Sequence, residues 1–142
     1  MMTYARPTRR MSADYPVYSL MSWPVAIVES TDSLVDVARA LAADEIGAVL
    51  VLQDGALVGV VSERDVAACV GAETDLGRLS ACDVMSQDLV TVPPEAPILE
   101  AARIMREAQV RHLPVVSEGL IAGMLSMRDL FHVLLGDDEN RT

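Results

Sequence analysis

The chain has no lysine: its eleven basic residues are all arginine, set against 21 acidic ones, for a formal charge of −10. A nucleic-acid partner needs a clustered stripe of cations that neutralises phosphates and releases their counterions, and this deficit excludes it. Aromatic residues make up only 4% while hydrophobic residues reach 51%, so the core must be built from Val, Leu, Ala, Ile and Met. Cysteine is scarce as well. Cys69 and Cys82 stand apart, with no CxxC pair or neighbouring histidine, so both read as packing or linker residues and no metal site is expected. No apolar run approaches the ~18–20 residues of a membrane helix, and residues 1–16 carry Arg6, Arg9 and Arg10 without the hydrophobic stretch of a signal peptide. A cytoplasmic protein with no membrane partner is the expectation.

What the chain does have is a repetition. Gly59-Val60-Val61-Ser62-Glu63-Arg64-Asp65 returns 64 positions later as Gly123-Met124-Leu125-Ser126-Met127-Arg128-Asp129. The register extends without a gap from residues 18–71 onto 82–135, placing Met21-Ser22 on Met85-Ser86, Val28 on Val92, Ala38-Arg39 on Ala102-Arg103 and Gly55 on Gly119. Apolar positions stay apolar even where identity is lost, which is the pattern of a duplicated fold. Each copy is near the smallest size that folds alone, so the copies are expected to share a core.

Local patterning gives each copy the order strand, helix, strand, strand, helix. Residues 25–28 form a short apolar strand, and Glu29-Ser30-Thr31-Asp32-Ser33 offers helix caps before Leu34, Val37, Ala38 and Leu41, which recur at i, i+3, i+4 and i+7. Residues 48–52 and 57–61 flank Gln53-Asp54-Gly55, a turn suited to positive φ, and read as an antiparallel hairpin. A second helix runs from Ser62 to Val70, with Gly71 able to end it. The second copy repeats this with a strand at 89–92, a helix at 97–108 opened by Pro97 at its first helical position, strands at 113–116 and 120–125, and a helix at 127–135. A loose arm (1–17), a polar linker (72–81) and an acidic tail (137–142) complete the organisation, around repeats at 18–71 and 82–136.

The element order, the paired G-h-h-S-x-x-D motifs, the Met-Ser that leads each copy and Arg111-His112-Leu113-Pro114-Val115-Val116 resemble a tandem pair of CBS domains, the Bateman module. The resemblance covers about residues 18–135, and it implies an α/β fold of two intertwined repeats, each with a small mixed sheet.

The repeated motif has chemistry of its own. A helix N-terminus presents unpaired N–H groups and about half a positive charge, suited to phosphate, and Ser62 adds a hydroxyl. The two carboxylate oxygens of Asp65 match the two hydroxyls of a ribose diol. Ser-x-x-Asp is equally a relative of the capping box, in which both residues simply start a helix. The resemblance implies composite clefts, in which Ser62, Arg64 and Asp65 face Val90, Arg111 and His112, while Ser126, Arg128 and Asp129 face Ala26, Gly47 and Ala48. The two are unequal: Arg111 and His112 supply cations for phosphate, whereas Gly47 and Ala48 at the matching positions supply none.

The expected function is a non-catalytic sensor that binds an adenosine-containing ligand of the AMP, ATP or S-adenosylmethionine class and signals to a separate effector protein. Catalysis is not expected, because nucleophile–base pairs, metal clusters and P-loops are missing from the sequence, and no cofactor is expected to be obligatory. A module that keeps the fold but serves only as a ligand-free structural or interaction piece is the alternative. Apolar helix faces left over in one chain predict a homodimer.

Overall fold

A computed structural model describes residues 13–43 and 45–135. Its elements are β1 (Ile27–Glu29), α1 (Leu34–Ala43), β2 (Ala48–Gln53), β3 (Ala56–Ser62), α2 (Glu63–Gly71), α3 (Ala81–Val84), α4 (Ile98–Ala108), β4 (His112–Ser117), β5 (Leu120–Ser126) and α5 (Met127–Leu134). Of the described residues, 25–89 form one compact unit, and 13–24 with 90–135 form the other.

The first unit is a mixed three-stranded sheet, with β1 parallel to β2 and β2 antiparallel to β3. Its core gathers Val28, Leu34, Val37, Leu41, Val49, Val51, Val61 and Ala81. Four successive apolar residues of β2, Ala48 to Val51, are fully buried. The hairpin turns on Asp54 (φ 52°) and Gly55 (φ 81°), both left-handed as a two-residue turn matched to strand twist requires. The second unit repeats the hairpin in β4 and β5, turning on Glu118 (φ 51°) and Gly119 (φ 79°). Its core centres on Val17, Met21, Val92, Ile98, Met105, Leu113, Val115, Leu125 and Leu130.

The repeats in sequence and the compact units in space do not coincide. The leading segment of each copy packs with the hairpin of the other copy. Ser22 exchanges two backbone bonds with Met124, at 2.8 and 3.0 Å, and Ser86 does the same with Val60, at 2.9 and 3.2 Å. Each bridge lies beside a glycine that a methionine covers: a Cβ on Gly59 would lie 2.4 Å from Met85 Sδ, and one on Gly123 would lie 2.8 Å from Met21 Sδ and from the Ser22 carbonyl oxygen. This exchange is what intertwines the two repeats.

Several expectations change at this level. The strand expected at 89–92 is reduced to one parallel bridge, Val92 with Val115. Prolines explain the loss. In the first unit Leu50 N–H donates to Ala26 and Ser30 N–H to Leu52; the corresponding residues here are Pro114 and Pro94, which have no N–H to give. Pro97 is the N-cap of α4 (φ −64°, ψ 145°) rather than its first helical residue. The polar linker is not featureless, since it holds a short 3-10 turn (Leu76–Arg78) and the Ser80 cap of α3. Within the arm expected to be loose, residues 13–17 are tied down, with Leu99 N–H bonded to Ala13, Ile98 N–H to Tyr15 and Val17 N–H to Ala96. Residues 1–12 of that arm and the acidic tail lie outside the described residues.

Candidate functional site

Both copies of the motif form reciprocal capping boxes. Ser62 sits before α2 in extended backbone (φ −106°, ψ 165°), where its Oγ accepts from Asp65 N–H at 3.3 Å. Asp65 Oδ2 accepts in return from the Ser62 N–H at 2.8 Å and from its hydroxyl at 3.0 Å. Ser126 and Asp129 reproduce this at the start of α5, with 3.2 Å for the amide and 3.1 and 2.8 Å for the bonds to Oδ2. The hydroxyl proton expected to meet a phosphate is thus donated inside each box. In both aspartates Oδ2 holds two donors, whereas Oδ1 accepts no hydrogen bond from a described residue. One carboxylate oxygen of each pair, with two lone pairs, is left for a ligand.

A third reciprocal Ser–Asp box, absent from the sequence reading, stands where the linker meets the second repeat, at Ser80 and Asp83. Asp83 Oδ2 accepts from Ser80 N–H at 2.9 Å and from its hydroxyl at 3.0 Å, opening the single turn of α3. The Ser80 amide, then its hydroxyl, holds the Asp83 carboxyl below the usual aspartate value of 3.8. The same three-residue spacing that marked the repeated motif marks this one in the sequence; it went unread because no apolar periodicity follows so short a helix.

The remaining site residues fall into place by strand register. In the first unit Ala48 lies opposite Ser62, the Gly47 carbonyl accepts from Glu63 N–H at 3.0 Å, and the Ala26 carbonyl accepts from Leu50 N–H at 3.0 Å. Gly47 is buried with φ 87°, a conformation that glycine adopts without Cβ strain. In the second unit His112 lies opposite Ser126, and the Arg111 carbonyl accepts from Met127 N–H at 2.8 Å. His112 is half-buried, Arg111 is exposed, and Val90 packs on the edge of the core. Arg64 and Arg128 are exposed on the first turns of their helices.

The structure therefore brings Ala26, Gly47, Ala48, Ser62, Arg64 and Asp65 together in one unit. It brings Val90, Arg111, His112, Ser126, Arg128 and Asp129 together in the other. One unit presents a small, uncharged loop beside its Ser–Asp box, and the other presents a guanidinium and an imidazole beside its own. Among the described residues no cluster of three or more His, Cys, Asp or Glu could hold a metal ion. No described helix is long and apolar enough to cross a membrane.

Comparison with known proteins identifies the family and the fold. The family model described as CBS domain matches twice, at residues 17–71 and 81–136. A CBS domain-containing protein of Bacillus subtilis, YhcV, is 29% identical over 114 residues, covering 80% of this chain and 81% of its own length. An inosine-5'-monophosphate dehydrogenase of Korarchaeum cryptofilum is 36% identical over 109 residues, which are 76% of this chain but 22% of that enzyme. Among solved structures, a CBS domain protein of Pyrobaculum aerophilum complexed with AMP is 30% identical with a TM-score of 0.77, over 87% of this chain and 98% of that one. The chain belongs to the CBS domain family, with two CBS domains in tandem.

Proposed function

We propose that this protein is a non-catalytic regulatory module that binds an adenosine-containing nucleotide and passes its occupancy to a separate effector protein. The observation that carries this reading is the bare Oδ1 of Asp65 and Asp129, an acceptor aimed at no described protein group beside a helix N-terminus. Such an oxygen can take the ribose hydroxyls while Oδ2 keeps the helix capped. Arg111 and His112, at the start of the strand that runs opposite Ser126, would take the phosphate. AMP in the Pyrobaculum relative supports the ligand class.

Asp65→Asn tests the ribose role directly. The asparagine carbonyl can still accept from Ser62, so the cap survives, but its amide is a donor where the ribose needs an acceptor. A thermal-shift series with AMP, ATP and S-adenosylmethionine should show stabilisation approaching ~2.7 kcal/mol at a hundredfold excess over Kd. The variant should melt near the parent without ligand and lose the shift with it. Equal shifts in parent and in both Asp65→Asn and Asp129→Asn would sink the ribose assignment.

The second reading is a ligand-free interaction module. Gly47 and Ala48 favour it, because no cation stands at their register, and so does the commitment of both serine hydroxyls to the boxes. An absence of any adenosyl-dependent shift would select it. The homodimer belongs to the same proposal, and a monomer mass by light scattering at micromolar concentration would remove it.

A further inference from the structure

Among the described methionines, Met21, Met105 and Met124 are buried, while Met85 and Met127 are half-buried. Met85 stands at a joint of the first unit. Its N–H donates to the Ala81 carbonyl at 2.9 Å, at the end of α3, and the next residue, Ser86, makes the two backbone bonds to Val60. Its side chain packs on the first unit's core and lies over Gly59, where Cγ and Cβ stand 2.7 and 2.8 Å from the point that a glycine Cβ would occupy. Val60 is two residues before Ser62, which opens α2. The thioether thus closes a latch on the strand that leads into the Ser62–Asp65 box.

The duplication supplies an internal control. Met21 holds the matching place over Gly123 in the other unit, beside the bonds between Ser22 and Met124. There the methionine is only 7% exposed and the serine half-buried, whereas Met85 is half-buried and Ser86 is exposed. One latch is shut away from water and its copy is open to it.

We propose that Met85 is an oxidation site, through which a hydroperoxide releases the latch of the first unit. A lone pair of Sδ forms the S–O bond as the O–O bond breaks, and the hydroxyl proton passes to the departing oxygen. Sulfur is oxidised to the sulfoxide, and the peroxide is reduced to water or, from an organic hydroperoxide, to the alcohol. A flexible apolar side chain becomes a polar one. The new oxygen needs a donor, but the Val60 and Ser86 amides beside it are committed to each other's carbonyls and Gly59 has no side chain. A polar group left without a partner is driven out to water. The sulfoxide therefore leaves the face of Gly59 bare, and the Ser86–Val60 bridge loses the packing beside it. The device acts on one unit of the pair, and it stands whether or not a nucleotide binds.

The full chain is treated with hydrogen peroxide and followed by peptide mass spectrometry and amide hydrogen exchange. Met85 should gain one oxygen at least about tenfold faster than Met21, Met105 and Met124, since oxidation follows exposure. Protection of the Val60 and Ser86 amides should then fall at least about tenfold, as a local opening, with Ser22 and Met124 unchanged. Methionine sulfoxide reductases for both sulfoxide epimers should restore it. Met85→Leu, a volume-conserving change, should keep its protection under the same peroxide, whereas Met127→Leu should lose it as the parent does. Oxidation of Met21 as fast as Met85, unchanged protection in the chain oxidised at Met85, or an equal loss in Met85→Leu would each overturn the proposal.

Discussion

Two glycines mark where the chain depends on a missing side chain. Gly59 and Gly123 lie against Met85 and Met21, at places where no Cβ fits without a shift of its neighbours. The neighbours differ. At Gly59 the three nearest atoms all belong to the Met85 side chain, while at Gly123 one of them is the Ser22 carbonyl oxygen, fixed by its bond from Met124 N–H at 3.0 Å. Gly→Ala should cost about 1–3 kcal/mol at either site, the usual penalty for overpacking. Truncating the methionine relieves only the side-chain part of the clash. In double-mutant cycles by urea denaturation, Gly59→Ala with Met85→Ala should therefore show a larger favourable coupling than Gly123→Ala with Met21→Ala. Equal couplings would mean that the backbone at Ser22 yields as readily as a thioether.

Among the elements, what was legible in sequence had a repeating pattern or a turn residue to announce it. The i, i+3, i+4, i+7 spacing placed α1 and α4, Asp54-Gly55 placed the first hairpin, and the second followed by register. The failures have local causes. The strand at 89–92 had the right apolar residues, but Pro94 and Pro114 remove ladder donors that its counterpart uses. The intertwining of the repeats came from the family resemblance alone, because Met21-Ser22 and Met85-Ser86 are the same dipeptide and carry no mark of which hairpin each will join. Helix α3, a single turn, depends on the Ser80–Asp83 box, and this gives it a pH signature. Its aspartate titrates lower in the fold than in the unfolded chain, through the Ser80 amide and hydroxyl. Stability from the box is thus fully present above pH 3.8 and is lost as pH falls through the lower folded value. Amide protection factors across residues 81–84 should fall as acid passes that point, and Asp83→Asn should flatten that acid dependence without lowering protection elsewhere. An unchanged acid profile in Asp83→Asn would assign the loss to other carboxylates.

For the molecule as a whole, the duplication yields two Ser–Asp boxes of one geometry beside two loops of opposite character. Identity within the boxes was visible in the motif, and so was the contrast between Arg111-His112 and Gly47-Ala48. The structure adds that the contrast extends to the backbone, since Gly47 is left-handed at φ 87° whereas Arg111 is not among the residues with positive φ. A side chain at position 47 would carry a strain of roughly 1–2 kcal/mol, so the neutral loop cannot become a copy of the charged one by a single replacement. Discrimination by charge follows at the level of the whole chain. A hydrogen bond to a charged group is worth about 1.5–3 kcal/mol, so Arg111→Ala should weaken AMP about ten- to a hundredfold while leaving adenosine nearly unchanged. Gly47→Arg should lower the melting point without improving affinity for AMP. Isothermal titration of both ligands against the parent and the two variants separates the outcomes: loss of AMP and adenosine together from Arg111→Ala would place that residue in the support of the loop, and a gain from Gly47→Arg would show that side-chain charge alone, and not the backbone beneath it, distinguishes the two halves.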